Sequence, residues 1–210
     1  DGAVTPVWTV PVGLTIAAGG TALGFTKVAP GDVLYLTLED RLRRVKDRAQ
    51  RLLKGLDCGV SDRLHIAVAW PRMFDGLGWL EKWIKSVARP TLVIVDVWAK
   101  FRPPLHGGDR YDQDYAAATA FKDAGDKYGV SMLGLHHCKK AAAEDAVDEI
   151  SGTLGLAGAA DGVLILTRSR GENDAEVFLT GRDLEDNKLA FSFDPATCLW
   201  TCTGKASEVT

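Results

Sequence analysis

Short apolar runs rich in β-branched residues alternate along the chain with longer amphipathic segments. The run Thr91–Asp96 is apolar until it ends on a carboxylate, which is typical of a buried strand in a parallel sheet covered by helices on both faces. Asp32–Leu38 and Val130–Leu135 share this character, and Val12–Ile16 and Leu64–Val68 are shorter runs of the same kind. The pattern therefore predicts parallel strands in these segments, with Val12–Ile16 as the first strand of the sheet.

Helical periodicity appears between the predicted strands. From Leu42 to Leu53, apolar side chains recur on one helical face while arginines recur on another. The arginines of this stripe are Arg41, Arg44, Arg48 and Arg51. Such a stripe is compatible with a solvated helix face, with contact to a neighbouring subunit or with nucleic-acid binding. Gly78–Ala88 and Asp114–Tyr128 are predicted to form two further helices.

The last part of the chain changes to the alternating pattern of antiparallel strands. Asp161–Leu166, Ala175–Thr180 and Leu189–Phe193 are predicted strands, and their order predicts that the sheet ends in an antiparallel meander. The expected fold class is α/β, with a mostly parallel twisted sheet flanked by helices. The absence of repeats or a convincing linker predicts one domain over residues 1–210.

Composition narrows the class of protein. With 46% hydrophobic and 25% charged residues the chain is of ordinary globular type. No apolar stretch approaches the length of a membrane span, and the first residues lack the layout of a signal peptide, so we expect a cytoplasmic protein without membrane contact. The four cysteines are too scattered for a disulfide scaffold and are expected to be reduced thiols. A net charge of −3 means that nucleic-acid binding would need a local basic patch.

Polar residues follow three of the predicted parallel strands. Glu39, Asp96 and His137 would meet in one crevice, because ligands of such sheets bind at the carboxyl ends of the strands. Phosphoryl transfer to water needs a base such as Glu39, an acid such as Asp96 to hold the water shell of Mg²⁺, and a polar group such as His137 near the γ-phosphate. Other interpretations stay open: Asp96 could cap a turn, Glu39 could favour a helix start, and the pair His136–His137 could lie in the core or bind a metal.

Four segments, in this order, resemble successive motifs of the RecA-like ATPase family typified by plasmid RepA-type hexameric helicases. They are Leu36–Asp40, Leu92–Arg102, Gly134–Lys140 and Ser151–Asp161. The resemblance extends from about Val12 to Trp200. It implies a RecA-like core and a homo-oligomeric, hexameric ring, with ATP and Mg²⁺ between subunits and single-stranded DNA in the central channel.

The resemblance also implies roles for individual residues. Glu39 would be the catalytic glutamate, Asp96 the acid that organises Mg²⁺, and His137 the sensor of the γ-phosphate. Arg182 resembles an arginine finger that reaches a neighbouring subunit, with Arg168 and Arg170 as less favoured candidates, although a surface arginine is the alternative. The channel-facing region would contain Lys139, Lys140, Ser151, Gly152 and Thr153. These residues would contact DNA phosphates without reading sequence, and Ser151–Ala160, rich in small residues, could equally be a plain loop.

One feature of the family is missing from the sequence. The phosphate-loop pattern G-x-x-x-x-G-K-S/T occurs nowhere, although its amides and lysine normally hold the phosphates. Because the predicted strand Val12–Ile16 runs directly into Ala17, we expect the loop and its helix to be absent between Ile16 and Ala17. ATP hydrolysis is therefore a conditional expectation. The alternatives are a nonenzymatic oligomeric DNA-binding or scaffold protein and a KaiC-like regulatory ATPase.

Overall fold

The computed structural model describes residues 5–56, 61–104, 107–137, 154–168 and 173–206. In chain order the elements are α1 (Thr5–Ala18), β1 (Gly20–Ala22), β2 (Thr26–Val28), β3 (Asp32–Thr37), α2 (Leu42–Gly55), β4 (Leu64–Ala67), α3 (Met73–Ser86), β5 (Pro90–Asp96), α4 (Trp98–Phe101), α5 (Arg110–Tyr128), β6 (Ser131–Gly134), α6 (Leu154–Ala159), β7 (Gly162–Thr167), β8 (Asp174–Gly181), β9 (Leu184–Asp194) and β10 (Leu199–Lys205). None of the helices in these ranges combines the length and the apolar character needed to cross a bilayer.

The predicted parallel sheet is present in the order β4-β3-β5-β6. All three neighbouring pairs are parallel, and the register places Thr37 opposite Asp96 and Val95 opposite Gly134. The α/β fold class predicted from the sequence is thus confirmed. Because β3 and β5 lie in the middle of the sheet, their carboxyl ends are adjacent and both are flanked by further strands.

Alternating side chains of β3 and β5 build a core on each face of this sheet. Leu34 and Leu36 pack on one face with residues of α3, α4 and α5, whereas Val33 and Tyr35 pack on the other with residues of α1 and α2. Near-continuous apolar strands of this kind are expected when both faces are covered. Asp96 shares the face of Ile94, since residues two apart on a strand point the same way.

The antiparallel meander is also present, but it forms its own four-stranded sheet in the order β10-β9-β8-β7. Helix α1 packs against both sheets, because it lies over β3 and β5 and also contacts β10. The indole of Trp8 meets the ring of Phe191 edge to face at 5.7 Å between centroids. One apolar helix therefore joins the two sheets through side-chain packing.

The prediction of a first strand at Val12–Ile16 is wrong, because these residues lie inside α1. A short apolar run does not distinguish a buried strand from a buried helix, and the helix continues through Pro11 although proline normally ends a helix. The chain is continuous helix across Ile16 and Ala17. The premise for placing a missing phosphate loop between these two residues is therefore removed.

The structure also differs from the sequence predictions in several short helices and strands. Leu154–Ala159, within the predicted loop of small residues, is the helix α6. Its Gly155 lies so close to α5 that a Cβ atom would stand 2.4 Å from the carbonyl oxygen of Tyr111. The hairpin of β1 and β2 and the last strand β10 were not predicted, because three-residue strands and the interrupted Leu199–Lys205 segment lack a clear period.

Candidate functional site

Three neighbouring strand ends bring the predicted residues to one edge of the parallel sheet. The Leu38 amide donates to the carbonyl oxygen of Asp96, which holds the segment after β3 against the end of β5. On the other side, the Leu135 amide donates to Val95 O at 2.9 Å, and the Trp98 amide donates to Leu135 O at 2.7 Å. Glu39, Asp96 and His137 therefore follow adjacent strands in the order β3-β5-β6.

Asp96 is buried and bonded to a tyrosine of the neighbouring strand. Its side chain is 3% exposed, and the Tyr35 hydroxyl donates to Asp96 Oδ2 at 2.6 Å. Burial raises the pKa of Tyr35, and the negative charge of Asp96 raises it further. The phenol consequently stays protonated and acts as a permanent donor to the carboxylate.

More negative than positive charges act on Asp96. Burial is the main factor that raises the pKa of Asp96, and the nearby carboxylates of Asp40 and Glu39 act in the same direction. The hydrogen bond from Tyr35 and the positive charge of Arg48 oppose this rise. Arg48 is held in place by Asp40, whose two oxygens accept from Arg48 at 3.2 Å and from Arg44 at 2.9 Å. Among the described residues, Arg48 is thus the arginine that acts on a buried carboxylate with two acidic neighbours.

Glu39 and His137 meet above the end of β5. Glu39 Oε2 lies 3.7 Å from His137 Nε2, and the two side chains are 49% and 46% exposed. Burial lowers the pKa of His136, and the charged groups that act on it are Asp114, Arg102, His137 and Arg110. An exposed carboxylate with an imidazole beside it can accept a proton from water, whereas the imidazole of His136 is half-buried.

Helix α1 begins at the same edge of the sheet. The carbonyl oxygens of Ile16 and Ala17, near its end, accept from Gly31 at 3.0 Å and from Ser61 at 2.9 Å, which lie just before β3 and β4. Its end therefore lies at the amino edge of the sheet, and its beginning is directed toward the carboxyl edge. The free amides and the dipole of a helix N-terminus favour an anion such as a phosphate.

The arginines predicted as arginine-finger candidates lie in different parts of the chain. Arg182 lies in the turn between β8 and β9, where its amide donates to Asp161 O at 2.9 Å and its guanidinium to Gly158 O at 3.3 Å. It is not brought together with Glu39 and Asp96 within the chain. Arg168, at the end of β7, stacks on Phe193 at 5.3 Å and lines the same cavity as Glu39. Arg170, Lys139, Lys140 and Ser151–Thr153 lie outside the described residues.

The donor set around Asp96 fits a magnesium ion carried by a nucleotide. Mg²⁺ is typically held by one or two carboxylates together with water and phosphate oxygens. Asp96 Oδ2 accepts from Tyr35, and Oδ1 accepts no hydrogen bond from any described residue. Since neighbouring carboxylates destabilise the ionised form of Asp96, a cation there would restore the charge balance. Across the ranges described, no three His, Cys, Asp or Glu side chains form a ready-made metal cluster.

Sequence reasoning missed Tyr35, Asp40 and Arg48 as parts of the site. The spacing of Asp40, Arg44 and Arg48 was a usable signal, because residues four apart on a helix lie on the same face. Tyr35 carried no signal of its own. Its contact with Asp96 depends on the pairing of β3 with β5, which only the register reveals.

Comparisons with known proteins agree with this geometry. The model of the AAA domain family matches residues 7–143. Solved structures with the same fold include an ATPase domain with a TM-score of 0.67, 14% identical over 81% of this chain and 74% of that one. The RadB recombinase has a TM-score of 0.61 and is 12% identical over 94% of this chain and 84% of its own.

A third structure is a DnaB-like replicative helicase described with its primase interactions. It has a TM-score of 0.60 and is 13% identical over 81% of this chain. This chain spans 51% of that helicase, about half its length. No curated protein sequence matches the chain. The family match, the parallel sheet with acidic strand ends and the shared fold lead to one conclusion: the chain belongs to the AAA domain family and has the fold of a RecA-like P-loop ATPase.

Proposed function

We propose that this chain is an ATP-hydrolysing, ring-forming RecA-like motor that acts on single-stranded DNA in the cytoplasm. The observation that supports hydrolysis most directly is the convergence of Glu39, Asp96 and His137 at three adjacent strand ends. Bound ATP with Mg²⁺ would supply the phosphoryl group and neutralise its charge. The chain itself supplies the groups that position water and the cation.

The role that we propose for each residue is compatible with its environment. Glu39 is exposed and can take a proton from a water molecule that attacks the γ-phosphate. Asp96 is buried, which suits an acid that orients the water shell of Mg²⁺ and does not react. His137, 3.7 Å from Glu39, is placed to respond to the charge of the γ-phosphate and to change the position of the base.

Replacement of Glu39 by Gln tests the assignment of the base. Glu39→Gln keeps the size of the side chain but cannot accept the proton, so ATP turnover should fall at least about a hundredfold while nucleotide binding persists. Glu185→Gln on the exposed part of β9 is the matched control and should leave turnover unchanged. Unchanged turnover in Glu39→Gln would contradict the assignment. A wild-type protein that binds DNA without turning over ATP would favour the nonenzymatic role.

A ring that acts on DNA is supported by the fold shared with a DnaB-like replicative helicase and with a recombinase, and by the proposed channel residues Lys139, Lys140 and Ser151–Thr153. The expected results are a hexamer by native mass spectrometry and ATP turnover stimulated by oligothymidylate. A monomer whose turnover is indifferent to DNA would refute both parts of this proposal and leave a regulatory ATPase.

Mixing two inactive variants tests whether Arg182 acts on a neighbouring subunit. If Arg182 completes the site of the next subunit, Glu39→Gln and Arg182→Ala are each inactive. A mixed ring would nevertheless contain some interfaces with both native residues, so activity should reappear on mixing. Arg168→Ala mixed with Glu39→Gln serves as the comparison, because Arg168 is already on the Glu39 side of its own chain. No recovery with Arg182→Ala would exclude a role in trans.

A further inference from the structure

The hydroxyl of Tyr35 is a buried polar group to which the proposed hydrolysis gives no role. Tyr35 lies in the middle of β3 and is 2% exposed, and its neighbours Val33, Leu34 and Leu36 are aliphatic. A buried hydroxyl costs free energy unless it forms a hydrogen bond, and a phenylalanine would fill the same space without that cost. What this hydroxyl does therefore depends on Asp96, to which it donates at 2.6 Å.

The register of β3 and β5 explains why a tyrosine can make this contact. Tyr35 is opposite Ile94, and Thr37 is opposite Asp96. Tyr35 and Asp96 are thus diagonal neighbours on one face of the sheet, which places them within reach of each other only through a long side chain. The phenol brings a donor from the interior of the sheet to the carboxylate at the strand end.

Packing fixes the position of this donor. Tyr35 belongs to the core on the α1 face of the sheet, in one cluster with Val10, Leu14 and Ile94. The last torsion of an Asp side chain, by contrast, has a broad rotational preference. A fixed donor on Oδ2 therefore selects one orientation of the Asp96 carboxylate. Oδ1 is left as the oxygen that can act on a cation.

We propose that Tyr35 is a positioning residue that makes Asp96 selective for Mg²⁺ over Ca²⁺, because it leaves only Oδ1 for the ion or its water shell. The proposal rests on the proposed function, in which Asp96 organises the cation. Mg²⁺ requires near-ideal octahedral geometry and keeps several waters, whereas Ca²⁺ accepts both oxygens of one carboxylate in a flexible site. A carboxylate with one oxygen already bonded therefore suits the smaller ion.

A hydrogen bond that only stabilises the fold gives a different expectation. If Tyr35→Phe lowers stability and does nothing else, both ions should bind the folded variant as they bind the native protein. If the bond orients Asp96, the carboxylate of the variant can rotate and present two oxygens. Mg²⁺ affinity should then fall while Ca²⁺ affinity persists. The ratio of the two affinities separates the two roles, because the stability of the fold does not enter it.

Competition for bound Mn²⁺ measures this ratio without ATP turnover. Mn²⁺ is bound to the protein together with ADP, observed by electron paramagnetic resonance, and displaced by Mg²⁺ or by Ca²⁺ below the unfolding temperature of each variant. Tyr35→Phe should bind Mg²⁺ at least about tenfold more weakly, the loss typical for partners that orient metal ligands, and should bind Ca²⁺ almost normally. Tyr115→Phe is the matched control, because it removes the same atom from an exposed ring of α5, and it should bind both ions normally.

Asp96→Asn separates this proposal from the proposed function. The variant should lose Mn²⁺ binding altogether. Native-like Mn²⁺ binding by Asp96→Asn, or no Mn²⁺ bound by the native protein, would overturn the metal role of Asp96 and with it the role of Tyr35. Loss of Mn²⁺ in Asp96→Asn with an unchanged ratio of Mg²⁺ to Ca²⁺ affinity in Tyr35→Phe would overturn the positioning role alone.

A crystal structure of the native protein with ADP and Mg²⁺ gives a second test that does not require Tyr35→Phe to fold. Circular dichroism checks the folding of the variant, and the crystal structure decides if the variant is unfolded. The expected result is that the ion or one of its waters contacts Asp96 Oδ1 while the Tyr35 hydroxyl still donates to Oδ2. An ion held through Oδ2, or through both oxygens, would overturn the proposal.

Discussion

The hydrogen bond from Tyr35 to Asp96 gives a prediction whose size can be worked out from the structure. Tyr35→Phe removes one oxygen from a buried ring and leaves the packing of the ring intact. The variant leaves Asp96 Oδ2 without the donor that lies at 2.6 Å, in a position where Asp96 is only 3% exposed. A hydrogen bond to a charged group contributes roughly 1.5–3 kcal/mol, against roughly 0.5–1.5 kcal/mol for a neutral pair. We expect the free energy of unfolding to fall by about 2 kcal/mol at neutral pH.

The effect of the variant should depend on pH. Burial raises the folded-state pKa of Asp96, so its contribution to stability is fully present below the pKa of the unfolded chain and is lost as pH rises through the folded pKa. The Tyr35 hydrogen bond opposes this loss because it favours the ionised form. The variant should therefore lose about 1 kcal/mol more at pH 8 than at pH 4, where Asp96 approaches its neutral form.

Urea unfolding followed by tryptophan fluorescence, from pH 4 to pH 8, measures this difference. Tyr115→Phe is the matched control: Tyr115 is exposed on α5, and loss of its hydroxyl should change stability by less than about 0.5 kcal/mol. A double-mutant cycle with Asp96→Asn should give a coupling of at least about 1 kcal/mol. A Tyr35→Phe effect below about 0.5 kcal/mol, or one that is equal at both ends of the pH range, would refute the reasoning.

Three further outcomes follow from other contacts. Gly125→Ala should destabilise the protein by about 1–3 kcal/mol, because its Cβ would lie 2.4 Å from Met132 Cγ, whereas Gly78→Ala on α3 meets no atom within 4 Å and should stabilise it by about 0.5–1 kcal/mol; thermal unfolding compares the two. His137→Ala should lower ATP turnover without weakening nucleotide binding, and His137→Gln should retain more turnover; equal turnover in all three proteins would contradict the sensor role. Arg48→Gln removes a charge that lowers the pKa of Asp96, so the acidic limb of the pH–rate profile should move to higher pH, and an unchanged limb would show that Arg48 does not act on the reaction.

The sequence predicted the parallel strands because their signal is local. A run such as Thr91–Asp96 is apolar throughout, lies between breakers and ends on a polar residue, and these features are visible without knowledge of any partner. The positions of Glu39, Asp96 and His137 at one edge then followed from a rule about strand ends in doubly wound sheets. The proposed roles of these residues remain predictions.

The first helix could not be identified with the same reasoning. In α1 nearly every described position is buried or half-buried, because the helix packs on both sheets. A helix buried on all sides has no polar face, so its apolar run carries no period of 3.6 residues. The valine and threonine residues then favoured a strand, and only the length of the full segment Thr5–Ala18 distinguishes the two cases.

Helix α2 brings an arginine to the strand-end site through the spacing of its residues. Val45 and Leu52 are buried and fix the rotation of the helix against the sheet. That rotation directs Arg48 toward Asp96, where its side chain is only 12% exposed and bonded to Asp40. Arg51, three residues later on the same helix, lines the cavity instead. The packing of Val45 and Leu52 therefore supplies one arginine to the buried carboxylate and turns Arg51 toward the cavity that Glu39 also lines.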